Sequence, residues 1–366
     1  MNINSIINAL PSVNGGATEI TATWQAPSNI ALIKYWGKHG NQLPNSPSLS
    51  ITLNNAFTIT KVKALNKENI SENENSINLE YLFEGQRVSG FENRVKVFFE
   101  KVLPELPFLS NLNIFVDSSN TFPHSAGIAS SASSMAALAL CLTELEQQHT
   151  GKVLSEKDFY IRASTLARLG SGSASRSVFG GWVSWGKSEA ISCSSDEYAM
   201  PLTLPVHPVF QNPGVAIMIV NSTPKGISSS KGHQLMDRHP FAHARYQQSH
   251  AHLSQLLDIL KSGNFELFAN IVENEALTLH SLLMTSSPEG MLMKPASLQI
   301  IGEVRSFRKI TGTPVCFTMD AGPNVFLIYP GDARGKVIPF IEESLVDLCE
   351  NGRWLDDSMG EGPKKG

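Results

Sequence analysis

Lys34 and Lys38 flank Tyr35, Trp36 and Gly37, and two cations so close to an aromatic pair suit a phosphorylated or carboxylated small molecule. An exposed lysine pair beside a core tryptophan has the same spelling. Ser173 and Arg176 stand in a Gly/Ser-rich turn, residues 168–183, where both can meet a charged ligand. Asp320 follows a strand-like run, residues 315–319, and precedes a Gly-Pro turn. An acid in that place either projects into a cleft or caps the turn. Residues 120–139 are built to hold phosphate: Pro123 and Gly127 punctuate a loop, and Ser130, Ser131, Ser133 and Ser134 supply hydroxyls ahead of an Ala- and Leu-rich run. The N–H groups of that helix's first turn, with the dipole behind them, attract an anion, and Gly127 lets the backbone come close. A Ser-capped core helix without a ligand gives the same pattern.

These residues need elements to carry them. Met135, Leu138, Ala139, Leu142 and Leu145 share one helical face, so the helix behind the phosphate loop packs on a core while its first turn points outward. Alternation predicts strands over residues 19–25, 48–53, 58–64, 77–82 and 112–116, with a polar loop at 66–76. Helical spacing predicts helices over 93–102 and 158–167, two or three within 243–284, and another over 296–309; 215–220 reads as a buried strand. The Ser- and Pro-rich stretch 187–213 is the candidate domain junction, giving domains at 1–208 and 209–366. Residues 1–17 read as a loose leader and 360–366 as a disordered tail.

Composition narrows the function. A chain of 366 residues with 42% hydrophobic and 17% charged residues is ordinary for a folded soluble protein and long enough for two cores. A net charge of −4 argues against a nucleic-acid binder. Cys141, Cys193, Cys316 and Cys349 lie far apart, so neither a zinc ribbon nor a disulfide framework is indicated. No secretory signal or membrane-length apolar run is evident, which places the protein in the cytoplasm. Six histidines between His233 and His280 invite a metal reading, but there is no H-E-x-x-H, and His250 and His252 face different ways on any helix. They are expected to face solvent or core. Neither Gly-rich stretch is a Walker A loop, and Ser175 occupies the last position of a would-be G-x-G-x-x-G, so a Rossmann site is not expected.

Four separated segments match one family. Residues 26–38 (APSNIALIKYWGK), 120–133 (NTFPHSAGIASSAS), 167–181 (ARLGSGSASRSVFGG) and 318–324 (TMDAGPN) resemble the diphosphomevalonate decarboxylases of the GHMP kinase superfamily. The phosphate loop alone marks the superfamily, whereas K-Y-W-G-K with D-A-G-P-N marks the decarboxylase branch.

The resemblance implies an α+β GHMP kinase fold, with a ribosomal-protein-S5-like N-terminal half, a ferredoxin-like C-terminal half and the active site in the cleft between them. It implies ATP-dependent decarboxylation of mevalonate 5-diphosphate to isopentenyl diphosphate, with ADP, phosphate and CO2 released. By the family motifs, Asp320 lies beside the substrate hydroxyl as base or orienting group, Lys34 sits near Asp320 and the substrate carboxylate, Arg176 neutralises that carboxylate and Ser173 orients the substrate. Tyr35, Lys38, Ser229, Ser230 and Arg94 would contact the diphosphate. Gly127, Ala129, Ser130, Ser131 and Ser133 would hold ATP, with Mg2+ on its phosphates and Ser131 the candidate side chain for the metal. A homodimer is implied on the same ground. Neither nucleic acid nor membrane is expected as a partner.

His124 and Ser125 replace the small residues usual in the phosphate loop, and Ser175 a usual cysteine. Three alternatives remain: a mevalonate 5-phosphate decarboxylase, a kinase that stops after phosphorylation, and a silent binding protein on the same scaffold. Retention of both Lys34 and Asp320 argues against the kinase, and the silent binder needs a broken catalytic position that this chain does not have.

Overall fold

Strand β1 (Glu19–Ile33) runs well past the alternating residues 19–25. From Ala26 onward every residue is buried, so the strand is covered on both faces and its sequence ceases to alternate. A computed structural model describes this and residues 19–67, 77–122, 129–223, 229–286 and 290–366, with the backbone alone at 229–230. The leader 1–17 and most of the polar loop 66–76 fall outside the described residues. After β1 come the short hairpin strands β2 (Lys38–His39) and β3 (Leu43–Pro44), then β4 (Ser48–Asn66). Residues 48–53 and 58–64, expected as two strands, are one. The exposed Asn54 and Asn55 do not break it because the Asp357 carboxylate accepts their N–H groups at 2.9 and 2.8 Å and that of Ala56 at 2.9 Å.

β5 (Asn78–Phe83), α1 (Ser89–Val102), β6 (Leu112–Asn120), α2 (Ser130–Thr150) and α3 (Glu156–Gly170) follow. With β13 (Lys364–Lys365) at one edge, a seven-stranded sheet forms in the order β13-β1-β4-β6-β5, with β7 (Trp182–Trp185) and β8 (Met200–Pro201) branching from β4. The three helices cover one face: Phe98 and Phe99 of α1, Leu138 and Leu142 of α2, and Ala163 of α3 pack with Val62, Ile114 and Val116. The apolar stripe of α2 is buried as its spacing predicts.

The second half builds a four-stranded antiparallel sheet, β10-β11-β9-β12, from β9 (Gly214–Met218), β10 (Cys316–Thr318), β11 (Val325–Tyr329) and β12 (Trp354–Ser358). Its helices are α4 (Ser229–Gln234), α5 (Ala242–Ser262), α6 (Phe265–Met284), α7 (Pro295–Thr311) and α8 (Arg334–Phe340). One continuous core joins the halves: Ile30, Leu32 and Ile51 of the first sheet meet Ile217, Leu256 and Val272 of the second half. That contact covers the other face of β1. Among the described residues no helix is long and apolar enough to cross a membrane.

The expected disordered tail is not one. β13 (Lys364–Lys365) pairs antiparallel with Trp24 and Gln25, which would otherwise present an open sheet edge. Upstream, Gly181 N–H donates to Gly360 O at 2.9 Å, and a Cβ on Gly180 would lie 1.9 Å from Glu361 O. Glycines let the two backbones touch, so a stretch that reads as flexible is held by its contacts.

Candidate active site

β1 ends at Ile33, and its next residue turns into the seam between the halves. Lys34 is a fully buried lysine whose Nζ donates to Asp320 Oδ1 at 2.9 Å and to Ala31 O at 2.5 Å. Burial pulls its pKa below the ordinary value, and the Asp320 charge pushes back. Asp320 stands beyond β10, with its side chain 29% exposed, so one side of the pair is open to solvent.

Arg176 lies in the 3-10 turn Gly172–Val178 and is buried beside this pair. Its Nη1 donates to Ser48 Oγ at 2.8 Å, and its Nε and Nη2 to Asn29 Oδ1 at 3.3 Å. Asn29 can reach it because the β1–β4 register shifts between Pro27 and Asn29, a bulge at a residue that cannot donate to the ladder. The Asn29 amide also donates to Ser177 Oγ at 2.7 Å and Ser173 O at 3.1 Å, tying the turn to the strand. Burial lowers the Arg176 pKa to about 10, against the pull of Asp320, so the guanidinium stays charged at neutral pH. Ser173 is half-buried, its Oγ 3.3 Å from that of Ser171.

Tyr35 packs edge-on against Trp185, ring centroids 4.7 Å apart, and against His233 at 4.2 Å. Its hydroxyl is buried and finds no partner among the described residues, and burial raises its pKa. Lys38 donates to Gln42 Oε1 at 2.6 Å from the β2–β3 hairpin; burial and then Lys101 lower its pKa. Arg168 holds that hairpin by donating to Asn41 O, and is itself bonded to Glu197 Oε2 at 2.6 Å. Arg94 is exposed on α1, the helix that also carries Lys101.

α2 starts after Ala129, which adopts left-handed backbone with φ 50° and offers no side-chain cap. Its first turn holds no acidic residue, so nothing on this helix competes with an anion at its N-terminus. Ser131 is exposed and Ser130 half-buried, both open to such a ligand. Ser133 instead points inward: its Oγ lies 2.7 Å from Thr58 Oγ1 and donates to Ser130 O at 3.3 Å, which locks α2 to β4. Gly127 and the replacements His124 and Ser125 lie outside the described residues, as do the side chains of Ser229 and Ser230 on α4.

The chain belongs to the diphosphomevalonate decarboxylase family. The model of the diphosphomevalonate decarboxylase-like N-terminal domain matches residues 26–199, and that of the mevalonate 5-diphosphate decarboxylase C-terminal domain matches 215–357. The diphosphomevalonate decarboxylase of Ganoderma lucidum is 30% identical over 334 residues, 87% of this chain and 81% of that protein. That of Schizosaccharomyces pombe is 30% identical over 93% of this chain and 86% of its own. Among solved structures, the mevalonate diphosphate decarboxylase of Staphylococcus aureus superposes with a TM-score of 0.79 at 28% identity, covering 95% of this chain and 98% of that one. The Enterococcus faecalis enzyme, solved to describe mevalonate diphosphate mediated ATP binding, gives 0.78 at 29%, covering 95% and 99%. A structure of MDDEF in complex with MVAPP, AMPPCP and magnesium gives 0.79 at 29%, covering 95% and 99%. The α+β architecture is thus the GHMP kinase fold of this family.

Several site residues carry no motif. Glu275 and Arg245 form a buried two-point ion pair at 2.7 and 2.5 Å, joined by His252 Nδ1 at 2.7 Å from Glu275 Oε1. Burial would push the Glu275 carboxyl up, but Arg245, His252 and the Lys34 N–H hold it at about 2. His280 Nε2 lies 3.1 Å from Asp320 O, and His233 Nδ1 accepts the Gly37 N–H at 3.0 Å. The histidines of this region serve as buried hydrogen-bonding groups at 233, 239 and 280 and as a half-buried one at 252, while His243 and His250 are exposed. A signal for Glu275 was available: it falls on the apolar face of α6 with Val272, Ala276 and Leu279, and a carboxylate there demands a partner.

Proposed function

We infer that this cleft carries out the ATP-dependent decarboxylation of mevalonate 5-diphosphate to isopentenyl diphosphate, releasing ADP, phosphate and CO2. The observation that carries the reading is the Lys34–Asp320 pair, 2.9 Å across the two halves and beside a buried Arg176. A tertiary hydroxyl leaves poorly, so its oxygen is first phosphorylated by ATP. Asp320 accepts or orients the hydroxyl proton, and Lys34 holds Asp320 in place. Loss of that phosphate with its bonding electrons leaves positive charge at carbon 3. The carboxylate carbon–carbon bond then supplies its electrons to the new double bond, and CO2 departs. Arg176, fixed by Asn29 and Ser48, is the cation for the carboxylate, and Ser173 orients the same group. Phosphoryl transfer asks the protein chiefly for positioning and charge neutralisation.

The uncapped start of α2, with Ser130 and Ser131, suits the phosphates of ATP, and Ala129 opens the turn before them. Ser131 would be the protein's own ligand to the Mg2+ that, when bound, would neutralise phosphate charge. Tyr35, Lys38, Arg94, Ser229 and Ser230 are assigned to the diphosphate, and the buried Tyr35 hydroxyl, which has no partner among the described residues, supports that for Tyr35. Gly127 and Ser133 are assigned to the ATP loop, Ser133 by bracing its helix on Thr58 rather than by touching nucleotide. The division near residue 208 accords with the two family models meeting between 199 and 215. Dependence on ATP favours the cytoplasm, and a homodimer follows from the family resemblance.

The test is single-turnover assay with ATP, Mg2+ and carboxyl-labelled mevalonate, its 5-phosphate and its 5-diphosphate offered separately. Labelled CO2 from the 5-diphosphate is expected. Release from the 5-phosphate alone would move the chain to the neighbouring decarboxylase, ADP without CO2 would make it a kinase, and silence with all three would leave a binding protein.

A further inference from the structure

Helix α6 reaches both members of the catalytic pair from behind, through backbone atoms. Glu275 Oε2 accepts the Lys34 N–H at 2.8 Å, and Arg245, gripped by Glu275, donates its Nη2 to the Lys34 carbonyl at 3.0 Å. Five positions further along the same helix, His280 Nε2 lies 3.1 Å from the Asp320 carbonyl oxygen. A carbonyl only accepts, so Nε2 is the protonated nitrogen. Glu275 and His280 are both buried, at 0% and 1% exposure.

Stability alone does not account for the group. A buried ion pair replaced by apolar side chains of the same volume commonly costs nothing or stabilises. Apolar side chains could not, however, bond the N–H and C=O of Lys34, which lie beyond the end of β1. Nor could they hold a carbonyl beside an acid whose position matters to a fraction of an ångström.

We propose that α6 sets the separation of Lys34 and Asp320, with Glu275 (through Arg245) and His280 as positioning residues that bolt the two backbones to one helix. Lys34 comes from the first half and Asp320 from the second, so their contact would otherwise depend on how the halves happen to sit. With both peptide groups tied to α6, the pair keeps its geometry as substrate enters. The proposal rests on the decarboxylase reading for its kinetic consequence, though not for its geometry.

The decisive variants are His280→Leu, which removes the donor, and His280→Gln, whose amide can replace it, with Glu275→Gln beside them. Active sites are counted by titration, so that unfolded protein does not enter the rate. His280→Leu is expected to lower kcat about 10–100-fold, as a misplacement of the pair by a fraction of an ångström would, with KM for either substrate within about threefold. His280→Gln should recover most of that loss, and Glu275→Gln should match His280→Leu. A purely structural role would lower the thermal midpoint of His280→Leu and leave kcat per site at the wild-type value, which would overturn the proposal. Should Glu275→Gln fail to fold, the two His280 variants decide. If wild-type protein releases no CO2, the functional reading fails, and crystal structures of wild type and His280→Leu decide this one: a lengthened Nζ–Oδ1 separation supports it, an unchanged one removes it.

Discussion

Lys34 and Asp320 stand 286 positions apart in the chain and 2.9 Å apart in space, one from each half of the molecule. Lys34 is buried, and its Nζ donates to the Asp320 carboxylate and to a backbone carbonyl. Asp320→Asn removes the counter-charge of Lys34 and the carboxylate proposed to take the hydroxyl proton. Its kcat should fall by about 10^3–10^4-fold, while KM for ATP moves little. Measured by CO2 release, a loss under tenfold would take Asp320 out of the chemistry.

Arg176 is locked by three side-chain bonds to Asn29 and Ser48, so it cannot swing to compensate for a changed substrate. Arg176→Lys keeps the charge and loses the fork. A drop of about 10^2–10^3-fold in kcat/KM is expected, and Asn29→Ala should reproduce part of it through disorder of the guanidinium. Equal activity of arginine and lysine at this position would show that only net charge matters.

Ser131 is exposed at an uncapped helix start. Ser131→Ala should raise KM for ATP about tenfold, the worth of one hydrogen bond to a charged group. Ser133→Ala, by contrast, should act on stability, because its hydroxyl is bonded to Thr58. Thermal melts set beside nucleotide titrations separate the two serines; a reversed pattern would exchange their roles.

Gly180 faces Glu361 so closely that a Cβ would sit 1.9 Å from its carbonyl oxygen. Gly180→Ala must therefore displace the strap that leads to β13, at a cost of about 1–3 kcal/mol. Urea unfolding would register it, and a change below about 0.5 kcal/mol would mean that the strap contributes nothing.

His233 is buried and accepts the Gly37 N–H, a role open only to neutral imidazole. Burial first, then Lys38 and Arg176, bring its pKa from 6.5 down to about 3. The folded value lies below the unfolded one, so this stabilisation is whole above pH 6.5 and drains away as pH falls towards 3. Between pH 6.5 and 5 the wild type should lose stability faster than His233→Asn, by up to ~1.4 kcal/mol per pH unit. Parallel slopes would mean that His233 titrates alike in the folded and unfolded protein.

Residues with a chemical signature were legible in the sequence: Lys34, Asp320, Arg176 and the serines at the start of α2 all stood in recognisable spacings. Residues that act through others were not. Asn29 looks like any strand polar residue until the bulge aims it at Arg176, and Glu275 is separated from Lys34 by most of the chain. Strand lengths failed for a related reason. Alternation marks a sheet with one wet face, and β1 loses it where the second half covers that face. The tail misled because glycines and lysines there read as loop, whereas a partner strand decides what they do.

β13 returns to β1 after β12 has already joined the other sheet. On the ribosome, β1 emerges early and its edge at Trp24 and Gln25 stays bare until residues 364–365 appear, a wait on the order of tens of seconds at ordinary elongation rates. The first half thus carries a sheet that is completed by residues following the second half in the chain. It is an unfinished sheet throughout synthesis, and a stalled ribosome would hold out a sticky edge that invites pairing with a neighbouring nascent chain.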